Sequence, residues 1–383
     1  MNDNGCTLEG LAMRSSGAAT GTRTTMLACS ISTTIGRTTT TTMSGSADPR
    51  QQCLDAGMPA EGSILVESIH QETEKARRQA PPKTTAAPTG SAVERGERPV
   101  TSPALRYHGG KFRLASWIMQ YFPEHTCYVE PFGGAAGVLL QKPRVYAEVY
   151  NDLDHAVYNF FKVIQNPEKR QRLIEALVFT PYSRDEFEQA WEPTSDPIEE
   201  AKRLCIRAQM GFGSAGATNG KTGFRIDTKR EYGTAQHLWA LYPESIATAG
   251  QRLSGVLIEN RDASKVMLDH DSEETLHFID PPYVHETRIM SANRTYYKHE
   301  LSNDDHESLL IHIKKLSGYV VLSGYDSELY NDHLKHWAKF TTQSRIAASR
   351  GTKLRTEVAW VNPSCMEALN KQRPVSQKAL FDV

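Results

Sequence analysis

The sequence predicts an α/β fold built on a mainly parallel sheet, and two observations lead to it. Five short apolar runs, each bounded by turn residues, have the length and composition of buried strands. Helical patterns separate most of these runs, and strands that alternate with helices pair in parallel through right-handed crossovers. Such sheets bind their ligands at the carboxyl ends of the strands. The predicted strands are residues 127–132, 144–150, 255–259, 275–279 and 319–322.

Apolar residues at helical spacing predict the helices between these strands. One helix is indicated near residues 157–164, and another is capped by Ser302 or Asn303 and ended by Gly318. Residues 179–253 interrupt the alternation. This stretch begins with helical patterns at 183–191 and 197–210 and then becomes too glycine-rich for the interior of an element, so it predicts an inserted, mainly helical lobe.

Composition excludes several classes of protein. The chain has 383 residues, with 44 Lys+Arg against 45 Asp+Glu, so any site for a polyanion must come from local clusters of basic groups. No apolar run approaches the roughly 18 residues that cross a bilayer. The six cysteines form no CxxC pair, which indicates free thiols in a reducing cytosol. No spacing of ligands indicates a metal site.

The two ends of the chain differ from its middle. Residues 1–100 contain an unbroken threonine run at Thr38–Thr42 and few large apolar side chains. Such a segment cannot offset the roughly 1 to 2 kcal/mol per residue that ordering the backbone costs, so we expect a disordered leader. An organellar transit peptide and a start site assigned too far upstream are the alternatives. Residues 363–383 are expected to form a C-terminal tail.

The most informative motif is Asp280-Pro281-Pro282-Tyr283, which directly follows the predicted strand 275–279. An aromatic amine such as adenine N6 is a poor nucleophile because its lone pair is delocalised into the ring. A site that methylates this amine must hold both amine hydrogens with acceptors, so that the nitrogen can pyramidalise. Asp280 and the neighbouring backbone carbonyl supply two acceptors, and Tyr283 can stack on an extruded base. The alternative is an ordinary proline turn with a surface aromatic residue.

A second motif carries a predicted strand into the glycine-rich turn Glu130-Pro131-Phe132-Gly133-Gly134. Glycines allow a backbone to approach a ligand closely. Their spacing does not give G-x-G-x-x-G, which argues against a site for a dinucleotide pyrophosphate.

Asp152 follows the next predicted strand, where an acidic residue can accept hydrogen bonds from ribose hydroxyls. It can equally cap the following helix, and the two roles are compatible. Together with the glycine turn, Asp152 favours a nucleoside ligand without a diphosphate. Upstream of the first strand, Tyr107-His-Gly-Gly-Lys111 places a lysine that can pair with a ligand carboxylate.

From residue 105 to about 362 the chain resembles the D12-class, Dam-like adenine-N6 DNA methyltransferases. The motifs that carry the resemblance, in the family's order, are Tyr107-His-Gly-Gly-Lys111, Glu130-Pro-Phe-Gly-Gly134, Asn151-Asp152, Asp280-Pro-Pro-Tyr283, the segment from Tyr296-Tyr297 to His306, Leu322-Ser-Gly-Tyr325 and Glu357-Val-Ala-Trp360. The resemblance implies a Rossmann-like S-adenosylmethionine-dependent methyltransferase domain at 105–178 and 254–362, with an inserted DNA-recognition lobe at 179–253.

The resemblance also implies roles for individual residues. Asp152 would bind the ribose of S-adenosylmethionine, Asp262 would lie near its adenine, and Asp280 to Tyr283 would surround the target base. The residues expected at the methyl donor are Tyr107, Lys111, Glu130, Pro131, Phe132, Gly133, Asp152, Asp262 and Asp280.

DNA contact has to be local because the chain as a whole is neutral. Basic residues in and beside the glycine-rich loop, and in the segment 345–355, are expected to bind phosphates, while Asn219 and Arg225 are the expected base readers. The side chains expected at the DNA interface are Asn219, Lys221, Arg225, Lys229, Arg350 and Lys353.

We therefore predict a cytoplasmic, monomeric, site-specific DNA methyltransferase of a bacterial or phage-infected cell that methylates N6 of a flipped adenine without a metal. Such a methyltransferase can have a cognate restriction enzyme as its partner. Methylation of cytosine N4 poses the same chemical problem and stays open as an alternative, as does a catalytically silent DNA-binding relative. An NAD-dependent dehydrogenase is a further alternative, but it offers no account of the motif at Asp280.

Overall fold

The computed structural model describes residues 98–213, 215–217, 222–226, 233–287, 297–348 and 351–372. The leader expected to be disordered lies outside these residues except for its last three positions. The strands are β1 (Cys127–Glu130), β2 (Ala147–Asn151), β3 (Leu257–Glu259), β4 (Thr275–Ile279), β5 (Tyr319–Tyr325), β6 (Ala338–Ala348) and β7 (Gly351–Val361). They form one sheet in the described part of the chain, with the order β3-β2-β1-β4-β5-β7-β6.

The first five strands are parallel, as predicted, and β1 lies at the centre of their order. Val129 of β1 stands beside Val149 of β2 on one side and His277 of β4 on the other. Strands added later in the chain lie on both sides of β1, so the direction of the strand order reverses there. A crevice for ligands opens at this kind of switch point.

The observed bounds of β1 and β2 differ from the predicted ones, and the extent of pairing between strands explains the difference. β4 has the predicted bounds, whereas β1 ends at Glu130 because Pro131 has no amide hydrogen to donate to a neighbouring strand. β2 begins at Ala147 rather than at residue 144, since its ladder with β1 starts at the pair Cys127 and Ala147.

The helices of the described residues surround the parallel strands. They are α1 (Ala115–Ile118), α2 (His155–Gln165), α3 (Pro167–Phe179), α4 (Arg184–Gln189), α5 (Pro197–Met210), α6 (Ala235–Arg252), α7 (Ala263–Asp269), α8 (Asn303–Ile313), α9 (Glu328–His333) and α10 (Pro363–Gln372). None of these helices is long and apolar enough to cross a membrane.

The predicted cap of α8 is confirmed at Ser302, which forms a capping box with Asp305. The predicted end at Gly318 is wrong, because α8 stops at Ile313. The backbone N–H groups of Ser317 and Gly318 instead donate to the Asp271 carboxylate, which holds this connection outside the helix.

The described residues of the range 179–253 form helices that pack onto the parallel-sheet region. The predicted helix 197–210 is confirmed as α5, and α6 is a helix that the sequence analysis missed because Pro243 interrupts its pattern. α5 packs against α2, and α6 packs against α3. Their buried side chains belong to the same hydrophobic cluster as those of β1 and β4, so the inserted helices extend this core.

A buried ionic cluster joins the end of α6 to β2. Arg252 donates to both carboxylate oxygens of Glu148, at 2.7 and 2.8 Å, and Lys142 Nζ donates to Glu148 Oε1 at 2.8 Å. Burial alone would raise the pKa of Glu148, but the hydrogen bonds from Arg252 and the charge of Lys142 outweigh it and hold the pKa below its ordinary value. The cluster therefore depends on one ionised carboxylate, which pairs with Lys142 and Arg252 and lies 3.9 Å from Arg144.

Replacing Glu148 with alanine is expected to lower the free energy of unfolding by about 3 to 5 kcal/mol, because two buried cations lose their counter-charge. Urea denaturation followed by circular dichroism measures this loss. Glu199→Ala is the matched control, since Glu199 also binds two cations, Lys202 and Arg203, but at the surface of α5. We expect that control to cost no more than about 1 kcal/mol, and equal losses in the two variants would contradict the argument from burial.

The C-terminal part of the chain departs most from the prediction. β6 and β7 form an antiparallel hairpin in which β7 pairs with β5, and the sequence analysis predicted neither strand.

Residues 363–372, expected to begin a tail, form α10 instead. α10 buries Cys365 and Leu369 and packs against β5, which gives these residues a core to join. In the described residues, Cys127, Cys205 and Cys365 are free thiols.

Candidate active site

A cavity of about 270 Å³ opens at the carboxyl ends of β1, β2 and β4. Every residue predicted at the methyl donor or at the target base lines this cavity. The segments that form its wall are 107–111, 130–135, 151–154, 261–264, 280–283 and 297–299, together with one face of α8. The fold thus brings motifs that are far apart in the sequence into one site.

Asp280 follows β4 and forms a salt bridge with Lys111. Lys111 Nζ donates to Asp280 Oδ2 at 2.7 Å and to the carbonyl oxygen of Gly109 at 2.9 Å. Lys111 is therefore paired with a protein carboxylate, although the sequence analysis expected it at a carboxylate of the donor. Asp280 Oδ1 is buried and has no hydrogen-bond partner among the described residues. A buried acceptor of this kind is costly unless a ligand supplies a donor.

Burial and neighbouring charges act in opposite directions on Asp280. Burial raises the pKa of its carboxyl group, Lys111 lowers the pKa, and the negative charge of Glu357 raises it further. The net pKa lies above the ordinary value for aspartate. Lys111 is the main group that keeps this carboxylate ionised in a site that otherwise favours the neutral acid.

The Tyr283 side chain is held from two neighbouring strands. Its hydroxyl donates to Glu357 Oε2 of β7 at 2.9 Å, and its ring packs against the Tyr325 ring of β5 with centroids 4.4 Å apart. Lys111 Nζ lies 4.7 Å from the centre of the Tyr283 ring. Tyr325 and Glu357 stand in the motifs that carry the resemblance, but no local pattern assigns either of them a contact with Tyr283.

The turn after β1 is tied to the end of β2. Gly134 has a positive φ of 46°, and its N–H donates to Asp152 Oδ2 at 2.8 Å. The neighbouring Gly133 leaves no room for a side chain, since a Cβ atom there would lie 2.1 Å from Tyr150 Cε2. Glycine is thus required at both positions, for conformation at one and for space at the other.

Asp152 is held by backbone groups on both sides. Its second oxygen, Oδ1, accepts from the N–H of Asp154 at 2.8 Å. Burial raises the pKa of Asp152 to about 6, and the hydrogen bonds from Asp154 and Gly134 oppose that rise. The alternative role of Asp152 as a helix cap is wrong: Asp154 caps α2 and accepts from the N–H of Ala156.

Tyr107 and Glu130 form much of the buried wall. Burial and the charge of Asp152 raise the pKa of the Tyr107 hydroxyl. Glu130 is 2 % exposed and accepts hydrogen bonds from the hydroxyl of Tyr128 and the N–H of Leu139. Burial raises the pKa of Glu130 to about 8, although both hydrogen bonds oppose the rise. At neutral pH Glu130 is therefore mostly protonated, in contrast to Asp152.

The segment that returns to α8 crosses the cavity and was not assigned a contact by the sequence analysis. The Tyr297 ring lies 6.2 Å from the Tyr107 ring, and Lys298 Nζ donates to Asp154 Oδ1 at 2.8 Å. Tyr296 of the same motif lies outside the described residues. On the opposite side, Asp262 lines the cavity and caps α7 through the N–H of Lys265.

Most of the residues expected to contact DNA lie outside the part of the chain that the structure describes. The side chain of Lys353 and the whole of Asn219, Lys221, Lys229 and Arg350 lie outside the described part of the chain. Arg225 is described, and the expectation that it reads a base is not supported by its position. Arg225 is only 5 % exposed, and its backbone is held by Met210 and by the hydroxyl of Tyr182, so its guanidinium does not face solvent.

The fold, a parallel sheet with a cavity at the carboxyl ends of its strands, is consistent with an α/β methyltransferase. A parallel sheet with an antiparallel hairpin places two acidic residues, Asp152 and Asp280, at one cavity, after the two strands that flank β1. Residues 107–348 match the model of the D12 class N6 adenine-specific DNA methyltransferases, and the chain belongs to this family. It is an adenine-specific DNA methyltransferase, and its family implies S-adenosylmethionine as the methyl donor.

A curated relative agrees with this assignment. Over 267 residues the chain is 25 % identical to a DNA adenine methylase of Serratia marcescens, covering 66 % of this chain and 94 % of that protein. Among solved structures, the precorrin 8W decarboxylase of Methanobacterium thermoautotrophicum is 11 % identical, over 65 % of this chain and 88 % of that one, with a TM-score of 0.25. So low a score carries no argument about fold or function.

Proposed function

We propose that the protein flips an adenine out of duplex DNA and binds its N6 amine at Asp280 in the cavity, beside the methyl donor. The observation that supports this most directly is at Asp280: the residue lines the cavity, and its buried Oδ1 has no hydrogen-bond partner among the described residues. The adjacent backbone carbonyl supplies the second acceptor. The amine has two hydrogens, so these two oxygens match its requirement.

The proposed donor site consists of Tyr107, Lys111, Asp152, Asp262 and the turn from Glu130 to Gly133. Two features of these residues suit S-adenosylmethionine. Asp152 offers an ionised carboxylate to ribose hydroxyls, and its pKa of about 6 leaves it charged at neutral pH. The turn has Gly133 and Gly134 where its backbone lies close to the rings of Tyr150 and Tyr107. S-adenosylmethionine supplies a methyl group on a positively charged sulfur, which is the electrophile of the reaction.

Residues of the motif at Asp280 then act on the amine. Asp280 and the backbone carbonyl beside Pro281 and Pro282 hold the amine hydrogens, which directs the nitrogen lone pair out of the plane of the base. Positive charge develops on N6 as its bond to the methyl carbon forms and the bond between that carbon and sulfur breaks, which leaves S-adenosylhomocysteine as a neutral thioether. The Asp280 carboxylate stabilises the charge until N6 releases one proton to solvent. The Tyr283 ring provides a stacking surface for the flipped base, a contact worth about 1 to 3 kcal/mol.

DNA is the substrate of this family. We propose that Asn219, Lys221, Lys229, Arg350 and Lys353 bind it, mainly through phosphates, which needs no net positive charge on the whole chain. The base-reading role expected for Arg225 is not proposed again, because the residue is buried.

The proposed function is tested with unmethylated DNA amplified from a bacterial genome, incubated with the full chain and S-adenosylmethionine. Digestion to nucleosides and mass spectrometry should find N6-methyladenine. Sequencing the same DNA with detection of modified bases identifies the target sequence. Base flipping is tested next, with 2-aminopurine in place of the target adenine, whose fluorescence should rise on binding as stacking is lost. Methylation without such a rise would contradict the flipping step.

Replacing Asp152 with asparagine is expected to weaken the binding of S-adenosylmethionine roughly 10- to 100-fold, because a hydrogen bond to a charged group contributes about 1.5 to 3 kcal/mol. Isothermal titration calorimetry measures the dissociation constant without DNA. Asp185→Asn, at an exposed carboxylate in the first turn of α4, is the control and should bind the donor normally. A folded Asp152→Asn protein with an unchanged dissociation constant would remove Asp152 from the donor site.

A further inference from the structure

Glu357 is a buried carboxylate that lies beside the motif at Asp280. It is 5 % exposed and pairs with Tyr325 across the antiparallel ladder between β7 and β5. β5 is also the direct neighbour of β4, the strand that Asp280 follows. The hairpin therefore brings the Glu357 carboxylate to the site on β7, which runs antiparallel to the other strands that form the site.

Both oxygens of Glu357 have hydrogen-bond donors. Oε2 accepts from the hydroxyl of Tyr283 at 2.9 Å, and Oε1 accepts from Ser344 Oγ of β6 at 3.2 Å. A buried carboxylate is costly unless such donors are present. Each of these contacts crosses between separate segments, so the carboxylate joins the β6–β7 hairpin to the turn after β4.

The contact with Glu357 restrains the position of the Tyr283 ring. A tyrosine ring turns about two side-chain bonds, and a hydrogen bond at the hydroxyl fixes its far end. The edge-on packing of Tyr325, at an interplanar angle of 68°, restrains the ring from the side. A base can stack only on a ring whose plane is held at the right distance and tilt, so the orientation of this ring bears on the reaction.

We propose that Glu357 is a positioning residue for methyl transfer, which holds the hydroxyl of Tyr283 so that the ring presents a fixed surface to the target adenine next to Asp280. This inference rests on the proposed role of Tyr283. Glu357 acts through Tyr283 and does not itself contact the base. Loss of the contact should therefore slow the reaction of bound substrates and leave the binding of the donor unchanged.

The test is a double-mutant cycle of Glu357→Ala and Tyr283→Phe, which remove the acceptor and the donor of the same hydrogen bond. We expect each variant to reduce kcat by about 10- to 100-fold, because misplacing a reacting group by about 1 Å can cost that much. The dissociation constant for S-adenosylmethionine should stay within about 2-fold of the original. The double variant should be no slower than the slower single variant by more than about 3-fold, since both changes break one interaction.

Two further variants separate positioning from general damage to the hairpin. Glu357→Gln keeps an oxygen that accepts from Tyr283, so it should recover most of the kcat that Glu357→Ala loses. Thr356→Val is the matched control, because Thr356 is the adjacent residue of β7 and its hydroxyl accepts from Gln343, away from Tyr283. We expect the control to have the original kcat.

The results that overturn the inference are defined by the same assays, run on unmethylated bacterial DNA with S-adenosylmethionine. Losses that multiply in the double variant would show that the two residues act separately. A normal kcat in Glu357→Ala would do the same. If Glu357→Ala does not fold, the Tyr283→Phe and Glu357→Gln variants test the inference. Lower activity in Tyr283→Phe with full activity in Glu357→Gln supports positioning. Full activity in both variants overturns it. An active Asp280→Ala protein would instead defeat the proposed function itself.

Discussion

Asp280→Ala should lose methyl transfer by about 1,000-fold in kcat while it binds S-adenosylmethionine with nearly the original affinity. Removal of one preorganised group that stabilises developing charge costs about 100- to 1,000-fold, and this change removes both an acceptor and a negative charge. The loss is expected in the rate of the chemical step, measured as N6-methyladenine formed in a single turnover on DNA. Donor affinity is measured separately by calorimetry.

A matched control exists on the neighbouring strand. Asp326 follows β5 much as Asp280 follows β4, but its side chain is 55 % exposed and binds Lys339. Asp326→Ala should therefore leave kcat unchanged, and thermal unfolding of both variants tells loss of chemistry from loss of folding. Near-normal turnover in a folded Asp280→Ala protein would remove the acceptor role on which the proposed function depends.

The second large effect concerns the pH dependence of the Lys111→Met variant. The ionised form of Asp280 is the active one, so activity is present above the pKa of Asp280 and is lost as the pH falls through it. Burial raises this pKa and Lys111 lowers it, so removal of the ammonium group raises the pKa further. The acid limb of the kcat profile should therefore move to higher pH, because an opposite charge at contact distance favours the ionised form of a carboxyl group.

Profiles of kcat between pH 5 and about pH 10 measure this shift, and activity lost at neutral pH should return in part at alkaline pH. Lys335→Met is the control, since Lys335 is an exposed lysine that pairs with Asp332 away from the cavity. An unchanged acid limb in a folded Lys111→Met protein would show that Lys111 does not keep Asp280 ionised.

Some elements were predictable because their signals are local. The run 275–279 contains Leu276, Phe278 and Ile279 and is soon followed by two prolines, so both the strand and its end could be predicted correctly. α5 has an aspartate cap and a proline in its first turn, which act within a few residues. The motifs at Glu130, Asp152 and Asp280 were also found, since each follows or ends a strand whose carboxyl end must meet the others at one edge of a parallel sheet.

Other features depend on contacts between distant segments. β6 and β7 are rich in polar residues and become strands because β7 finds an unpaired edge at β5. Arg225 has the composition of a DNA-binding residue, yet its segment folds back on the end of α5 and buries it. α10 is short, and its burial against β5 is what stabilises it.

The amino-acid sequence alone determined the class of fold, the family and the set of motifs that line the site. The patterns that indicate them consist of residues close together along the chain. How those motifs pair depends on the folded arrangement of the whole chain. That arrangement placed Lys111 on Asp280 and Glu357 on Tyr283, residues separated by 169 and 74 positions. Contacts over such distances follow from strand order and register, which the packing of the whole core selects.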